Sequence, residues 1–283
     1  MIRAHWLAAW VLLSALPAAV QNQDPDHGDP GGAAPTRKIE YKTAGDKKLS
    51  LHLFEPKGLK PADKRAAIVF FHGGGWNHGD PSSFYWQGDY FAKRGMVAFS
   101  AEYRLTPQGV QVADCIADAK SAVRWVRAHA AELGVDPARI AAGGGSAGGH
   151  LAAAAAIVKD AEDRTASSRP DLLVLFNPAL FHPRAKKTLS LEMFTAETPA
   201  AQVFYGTKDA MVTYGHDLLA QSRKLGNVVD FHTAEAAGHG FFHGPPWREQ
   251  TTYLADQFLA KHGFLQGAPT LEPKGGIKLK QEN

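Results

Sequence analysis

The chain has 283 residues, of which 45% are hydrophobic and 21% charged, and this composition is typical of a globular protein. The formal net charge is +3, and no basic run is interleaved with aromatic residues, so we expect no nucleic-acid partner. The length permits one or two domains. Because strand and helix patterns alternate without a break, we expect a single core.

The N-terminus has the pattern of a secretory signal peptide. Arg3 precedes an apolar run from Trp6 to Leu16, and the small residues Ala18 and Ala19 follow it. We expect cleavage after residue 19, which predicts a secreted or periplasmic protein without stable membrane insertion. An uncleaved membrane anchor is the alternative, although the apolar run is short for a transmembrane helix.

The remaining boundaries follow from composition. Residues 20–37 are rich in Asp, Pro and Gly and predict a disordered linker. A catalytic domain is expected over 38–265, followed by a polar, flexible tail over 266–283. The single cysteine, Cys115, cannot form an internal disulfide and is expected to be a small buried side chain.

Hydrophobic periodicity predicts a series of alternating elements within the domain. The predicted strands are Arg37–Tyr41, Leu49–Phe54, Ile68–Phe71, Met96–Glu102, Arg139–Gly143, Leu172–Phe176, Gln202–Tyr205 and Val228–His232. The predicted helices are Ser83–Arg94, Val110–Leu133, His150–Val158, Leu218–Leu225 and Thr251–His262.

A glycine-rich motif, His72-Gly73-Gly74-Gly75-Trp76, directly follows the third predicted strand. Consecutive glycines allow backbone N–H groups to turn towards a substrate and stabilise an oxyanion. We expect the N–H groups of Gly74 and Gly75 to be such donors, and His72 to brace the loop. A flexible surface loop is the alternative interpretation.

The segment Gly144-Gly145-Ser146-Ala147-Gly148 is the most informative part of the chain. It has the form G-x-S-x-G between a predicted strand and a helix, which places Ser146 at the apex of a sharp turn as a nucleophile. The N–H of Ala147 is the expected third oxyanion donor. A phosphate-binding turn is the alternative for so short a motif.

A serine nucleophile needs a general base and a carboxylate that orients the base. Asp209 and His239 each fall just beyond the carboxyl end of a predicted strand, where open α/β sheets place ligand sites. The order Ser146, Asp209, His239 along the chain is that of α/β-hydrolases. These three residues are therefore the predicted catalytic triad.

Other titratable residues compete for these roles. His243 and His150 are alternative bases, and Asp217 and Asp230 are alternative acids, although the predicted elements favour structural or solvated positions for them. Asp114 and Asp118 form an acidic pair on one helix face. A structural role, either capping loops or pairing with Arg104, is favoured over a metal site.

Between the helix after Ser146 and Asp209 the sequence predicts one strand and a loop, residues 178–199. No inserted helices are evident, so we expect no large lid. The apolar residues of this loop, such as Phe181 and Phe194, could either form a wall of the acyl pocket or cover the sheet edge, and the sequence leaves both open.

The motifs together resemble α/β-hydrolase esterases of the hormone-sensitive-lipase type, closest to bacterial feruloyl- and acetylxylan-esterase-like carboxylesterases. The matching segments are His72–Trp76, Glu102–Leu105, Asp118–Trp125, Asp136–Ile140, Gly144–Gly149, Gly206–Asp209 and Gly238–Phe242. The resemblance implies an α/β-hydrolase fold, with a mostly parallel central sheet flanked by helices. Many relatives carry an acidic residue before the nucleophile, where this chain has Gly145.

The resemblance is specific for the fold and the triad and not for the substrate. Together with the predicted signal peptide, it favours a secreted serine carboxylesterase that acts on short acyl esters, with acetyl or feruloyl groups on plant-type polysaccharides as expected substrates. Trp76 is expected to contact the substrate, and no metal or organic cofactor is implied. A formamidase or amidase of the same fold is one alternative. A non-catalytic binding module on a hydrolase scaffold is the other.

Overall fold

The computed structural model describes residues 32–107, 109–160, 166–185 and 187–283. The predicted signal peptide, residues 1–19, and most of the predicted linker lie outside these ranges. Within them the chain forms nine strands and five α-helices. The strands are β1 (Arg37–Ala44), β2 (Lys47–Phe54), β3 (Arg65–Phe71), β4 (Val97–Ala101), β5 (Val135–Gly145), β6 (Leu172–Phe176), β7 (Ala201–Gly206), β8 (Val229–Ala234) and β9 (Lys280–Gln281). The helices are α1 (Tyr85–Lys93), α2 (Val112–Ala128), α3 (Ala147–Ile157), α4 (Val212–Leu225) and α5 (Trp247–Lys261).

All nine strands belong to one sheet with the order β1-β2-β4-β3-β5-β6-β7-β8-β9. The six strands from β4 to β8 in this order pair in parallel. The two strands at one edge and β9 at the other pair antiparallel. The strands β3, β5, β6, β7 and β8 therefore all have their carboxyl ends on the same side of the sheet. This is where α/β proteins place their ligand sites.

Both faces of the sheet are covered, because successive side chains of a strand point to opposite faces. On β6, Leu173 and Leu175 belong to one apolar cluster, and Val174 and Phe176 belong to the other. Helices α2, α3 and α4 contribute to the first cluster, and α1 and α5 contribute to the second. Cys115 is buried in the first cluster. No helix within the described ranges has the length and apolar character required to cross a membrane.

Several element boundaries differ from the predicted ones: β5, α4 and α5 begin earlier, at Val135, Val212 and Trp247. Two further differences concern the end of α2 and the tail. The second helix, α2, ends at Ala128, five residues before the predicted end at Leu133. Just after this end, the Nδ1 of His129 hydrogen-bonds to the carbonyl oxygen of Trp125. The tail expected to be flexible is attached at both ends. Near its start, the carbonyl oxygens of Gln266 and Gly267 accept hydrogen bonds from Arg94, and near its end β9 pairs with β8.

Candidate active site

Ser146 lies between the last residue of β5 and the first residue of α3. Its backbone has φ 51° and ψ −118°, a strained conformation for a residue with a side chain. The surrounding backbone holds it there: its N–H donates to the carbonyl oxygen of Phe176, and its own carbonyl oxygen accepts from Ala179 and His150. The hydroxyl is thereby presented at the N-terminus of α3.

The three predicted triad side chains form one hydrogen-bonded chain. The His239 Nε2 lies 2.9 Å from the Ser146 Oγ, and the His239 Nδ1 lies 2.7 Å from the Asp209 Oδ2. The Asp209 side chain is 1% exposed, whereas the His239 side chain is 20% exposed. Because the carboxylate can only accept, Nδ1 carries the proton and Nε2 is left to accept from the serine hydroxyl.

The loop after β3 runs directly beside Ser146. A Cβ atom added to Gly73 would lie 3.4 Å from the Cβ of Ser146. Gly74 and Gly75 have φ values of 104° and 57°, which only glycine adopts without strain, and their N–H groups make no hydrogen bond to another described residue. Gly74 lines the cavity at Ser146, whereas Gly75 lies on the side of Arg184. The buried Ala147 begins α3 beside them.

His72 holds this loop in place, as the sequence predicted. Its Nδ1 lies 2.8 Å from the carbonyl oxygen of Gly73, and its ring stacks on Tyr103 at 4.3 Å. The Tyr103 hydroxyl donates in turn to the carbonyl oxygen of His72. Burial lowers the pKa of His72 to about 4, so the ring is neutral at physiological pH.

The structure places Trp76 behind the glycine loop and outside the cavity at Ser146, so its expected contact with the substrate stays a prediction. Its side chain is only 1% exposed and does not line the cavity at Ser146. The chain turns at Trp76 with φ 63°, and the indole contacts the ring of His150 on α3 and the ring of His182. Trp76 therefore supports the loop from behind.

The competing residues occupy other environments. His150 is buried with its Nε2 near the Thr188 hydroxyl, and burial lowers its pKa to about 3. His243 lines the cavity, but it lies beside Phe242, and the contact with Ser146 is made by His239. Asp230 pairs with Lys261, and Asp217 is exposed on α4.

The acidic pair on α2 is structural. Asp118 is fully buried and binds Lys42 and Arg104, and Asp114 also lies near Arg104. This matches the predicted ion pair. Among the described residues no group of three or more His, Cys, Asp or Glu side chains is arranged to hold a metal ion.

A cavity of about 290 Å³ opens at Ser146. Its wall is formed by the glycine loop and the residues that follow it, by the turn at Ser146, by Asn177 and by the segment that begins at His239. The lining residues are His72, Gly73, Gly74, His78, Gly79, Asp80, Ser83, Gly145, Ser146, Asn177, His239, Gly240, Phe242 and His243. Most of the side chains in this wall are polar.

The residues of the 178–199 loop that the structure describes, 178–185 and 187–199, do not line that cavity. Leu189 and Phe194 are buried in the core, and the ring of Phe181 lies edge to face against Phe194 and Tyr214. Of the two interpretations that the sequence left open, the packing favours the one in which this loop covers the sheet.

The sequence interpretation gave no role to several cavity residues, among them Asn177 and Phe242. Asn177 directly follows β6, and its place at the carboxyl end of a central strand is the signal that could have found it. Phe242 explains the glycine before the nucleophile. A Cβ atom on Gly145 would lie 2.5 Å from the Cζ of Phe242, so the aromatic ring fills the space that a side chain at 145 would need.

Comparisons with known proteins agree with this architecture. Residues 51–171 match the model of the BD-FAE family. Carboxylesterase NlhH of Mycobacterium tuberculosis is 32% identical over 189 residues, which are 64% of this chain and 54% of that protein. The chain thus spans about half the length of the curated relative that it matches.

Solved structures cover more of the chain. Esterase 2 of Thermogutta terrifontis, phosphorylated by paraoxon, is 44% identical with a TM-score of 0.78, over 82% of this chain and 95% of that one. The propionate-bound form of a thermophilic esterase from the same organism is 41% identical with a TM-score of 0.75, over 84% and 97%. These similarities confirm the predicted α/β-hydrolase fold.

The close packing around Ser146 leads to a stability prediction. A Cβ atom on Gly148 would overlap the carbonyl oxygen of Phe71, which is backbone and cannot move aside. We expect Gly148→Ala to lower the free energy of unfolding by about 1–3 kcal/mol or more. Gly238→Ala is the matched control, because a Cβ atom there meets nothing within 4 Å. Urea unfolding of both variants tests this, and equal stability would contradict the packing described here.

Proposed function

We propose that this chain, which belongs to the BD-FAE family of hormone-sensitive-lipase-like esterases, is a serine carboxylic ester hydrolase with Ser146 as its nucleophile. The observation that carries the proposal is the continuous hydrogen-bonded chain from the Ser146 Oγ through His239 to the buried Asp209. Similarity to an esterase that paraoxon phosphorylates supports the same chemistry, because organophosphates of this kind react with activated serines.

In this mechanism the His239 Nε2 takes the proton of the Ser146 hydroxyl as its oxygen attacks the ester carbonyl carbon. Asp209 keeps the Nδ1 proton in place and stabilises the imidazolium that forms. The tetrahedral intermediate collapses, the bond to the alcohol breaks, and the alcohol oxygen takes the proton from Nε2. Water then attacks the acyl-enzyme in the same way and releases the carboxylic acid.

The negative charge on the carbonyl oxygen needs donors that are already in place. We assign this role to the N–H groups of Gly74, Gly75 and Ala147. The left-handed backbone of the two glycines and the position of Ala147 in the first turn of α3 support the assignment. A single donor of this kind contributes roughly 3–4 kcal/mol of transition-state stabilisation.

The cavity at Ser146 is assigned to the alcohol part of the ester. His239 must pass its proton to the leaving oxygen, so the alcohol lies beside the imidazole. The residues that follow His239, including Phe242 and His243, line this cavity. The acyl group is then expected on the other side of Ser146, towards Gly75.

Polar side chains in the cavity wall, such as Asp80 and Ser83, favour an alcohol that carries hydroxyl groups, such as a sugar. The Oγ of Ser83 is buried and has no hydrogen-bond partner among the described residues. Asp80 stands at the same wall. Burial opposes its ionisation, but hydrogen bonds from Ser82 and the nearby His72 still leave the pKa of Asp80 below its usual value. We therefore propose acetyl or feruloyl esters of plant-type polysaccharides as substrates.

The proposed substrates agree with the predicted signal peptide over residues 1–19, since polysaccharides of this kind lie outside the cell. Secretion or periplasmic location is part of the proposal. Comparing activity on acetylated xylan, methyl ferulate and N-formylkynurenine tests the substrate class. Preference for N-formylkynurenine would replace the proposal with the formamidase alternative.

Ser146→Ala should abolish catalysis while the fold remains intact, because only the nucleophilic oxygen is removed. We expect kcat for p-nitrophenyl acetate to fall on the order of 10⁴- to 10⁶-fold. Ser121→Ala, on half-buried α2 surface where the hydroxyl donates to the carbonyl oxygen of Ala117, is the control. Paraoxon should label the wild type and the control but not Ser146→Ala. More than a few per cent residual activity would refute the assignment.

Asp209→Asn should preserve the packing and reduce kcat on the order of 10⁴-fold, because an amide favours the wrong imidazole tautomer. Asp217→Asn and Asp230→Asn remove the same charge from α4 and β8, and these variants should keep nearly full activity. Steady-state kinetics with p-nitrophenyl acetate provides the comparison. If either control loses more activity than Asp209→Asn, the orienting acid is elsewhere.

Short acyl chains should be preferred. The apolar residues of the 178–199 loop, such as Leu189 and Phe194, are committed to the core and leave little room for a long chain. A buried CH₂ group contributes about 0.8 kcal/mol only where apolar space receives it. We expect kcat/KM to be high for p-nitrophenyl acetate and butyrate and low for octanoate and palmitate. A maximum at palmitate would indicate a lipase instead.

A further inference from the structure

Asn177 occupies a central position that the triad mechanism does not use. It is the first residue after β6, it is fully buried, and its N–H donates to the carbonyl oxygen of Phe204 on the neighbouring strand. The preceding residue, Phe176, accepts the hydrogen bond from the N–H of Ser146. Asn177 and Ser146 are therefore both anchored to β6.

The Asn177 side chain contacts two adjacent residues of the loop after β8, His239 and Gly240. Its Oδ1 accepts a hydrogen bond of 3.2 Å from the N–H of Gly240, and its Nδ2 lies 3.4 Å from the His239 Nε2. The backbone of Asn177 has φ 34°, a left-handed conformation that costs energy in a residue other than glycine. Such strain persists only where the surroundings hold it.

The orientation of the amide follows from its partners. The Gly240 N–H can only donate, so the amide oxygen must face it. The amide NH₂ group is then the group that faces His239. In the resting state Nε2 accepts, and the NH₂ group can share it with the Ser146 hydroxyl. Once Nε2 carries a proton, two donors face each other.

We propose that Asn177 is a positioning residue that holds the His239 loop against Ser146 and disfavours a resting imidazolium. This inference rests on the proposed function. The amide keeps Nε2 available for the serine proton before the reaction. After proton transfer, the opposed N–H groups favour passing the proton on to the leaving alcohol, which is the direction that the cycle needs.

Other charged and titratable groups also face His239 or its cavity. Asp209 binds Nδ1. The pKa of His182 is lowered by burial, by Arg184 and by His239, which places His182 near the imidazole of His239. His72, Asp80 and His243 line the cavity. All of them remain in place when only Asn177 is changed, so a variant at 177 isolates the amide.

Asn177→Asp is the sharpest test. The variant is isosteric and keeps an oxygen for the Gly240 N–H, but it replaces the NH₂ group with an acceptor that stabilises a protonated Nε2. We expect the midpoint of the acid limb of kcat/KM to rise by about 1 pH unit or more. Asn227→Asp makes the same charge change at a remote turn, where the amide binds the carbonyl oxygens of Ala196 and Thr198, and should leave the profile unchanged.

Asn177→Gly removes the amide without introducing backbone strain, since glycine accepts φ 34°. We expect kcat to fall about 3- to 10-fold with little change in KM, the effect of one lost hydrogen bond at the base. The acid limb should move in the same direction as in Asn177→Asp, but by less. This variant also keeps the test open if the aspartate variant folds poorly.

An NMR titration of the His239 ring, without substrate, separates this inference from the proposed function. The titration midpoint of His239 should rise in both Asn177 variants and stay constant in Asn227→Asp. Unchanged midpoints in the Asn177 variants would overturn the inference even in an active esterase. Retained activity in Ser146→Ala would overturn the proposed function and leave the NMR result standing.

Discussion

The close approach of α3 to the carboxyl end of β3 is the contact on which the geometry of the site depends. No side chain fits at Gly148, because the carbonyl oxygen of Phe71 occupies that space. This contact leaves the chain a single sharp path from β5 into α3, and Ser146 adopts φ 51° to follow it. Hydrogen bonds to the backbone of Phe176 and Ala179 offset a strain on the order of 1–3 kcal/mol. The proposed nucleophile is thus positioned by the packing of the backbone around it.

Because the central strands are parallel, the other site residues also lie at the carboxyl end of the sheet. Going across the sheet, the segments after the five adjacent strands β3, β5, β6, β7 and β8 supply the glycine loop, Ser146, Asn177, Asp209 and His239 in turn. The carboxyl-terminal part of each of these strands is buried on both faces and is held by hydrogen bonds to its neighbours. Distances of 2.7 and 2.9 Å can therefore be held between side chains that lie far apart in the sequence. The base is the exception, since it lies on a loop, and Asn177 ties that loop back to β6.

The sequence predicts those site residues that are identified by their immediate neighbours in the chain. Ser146 is flanked by the small residues that its turn needs, and Asp209 and His239 follow recognisable strands. The buried position of the Trp76 side chain and the role of Asn177 could not be read from a short segment, for a different reason. The direction of Trp76 depends on a left-handed backbone at a non-glycine residue, and the role of Asn177 depends on a loop more than 60 residues further along the chain. The attachment of β9 is likewise a tertiary event, because two residues with ordinary polar side chains carry no strand signal of their own.

Phe242 and Gly145 share one volume, and this links the base loop to the nucleophile turn. Phe242 lies three residues beyond His239, and its ring stacks on Phe176 and Phe84 while occupying the space beside the Cα of Gly145. A chain of this architecture can place a side chain before its nucleophile or an aromatic ring after its base, but it cannot accommodate both. The two positions are therefore expected to vary together during evolution, so that a larger side chain at one goes with a smaller side chain at the other. Relatives with an acidic residue before the serine would carry a smaller or displaced residue in place of Phe242, and their alcohol pockets would carry a charge where this one carries an aromatic face.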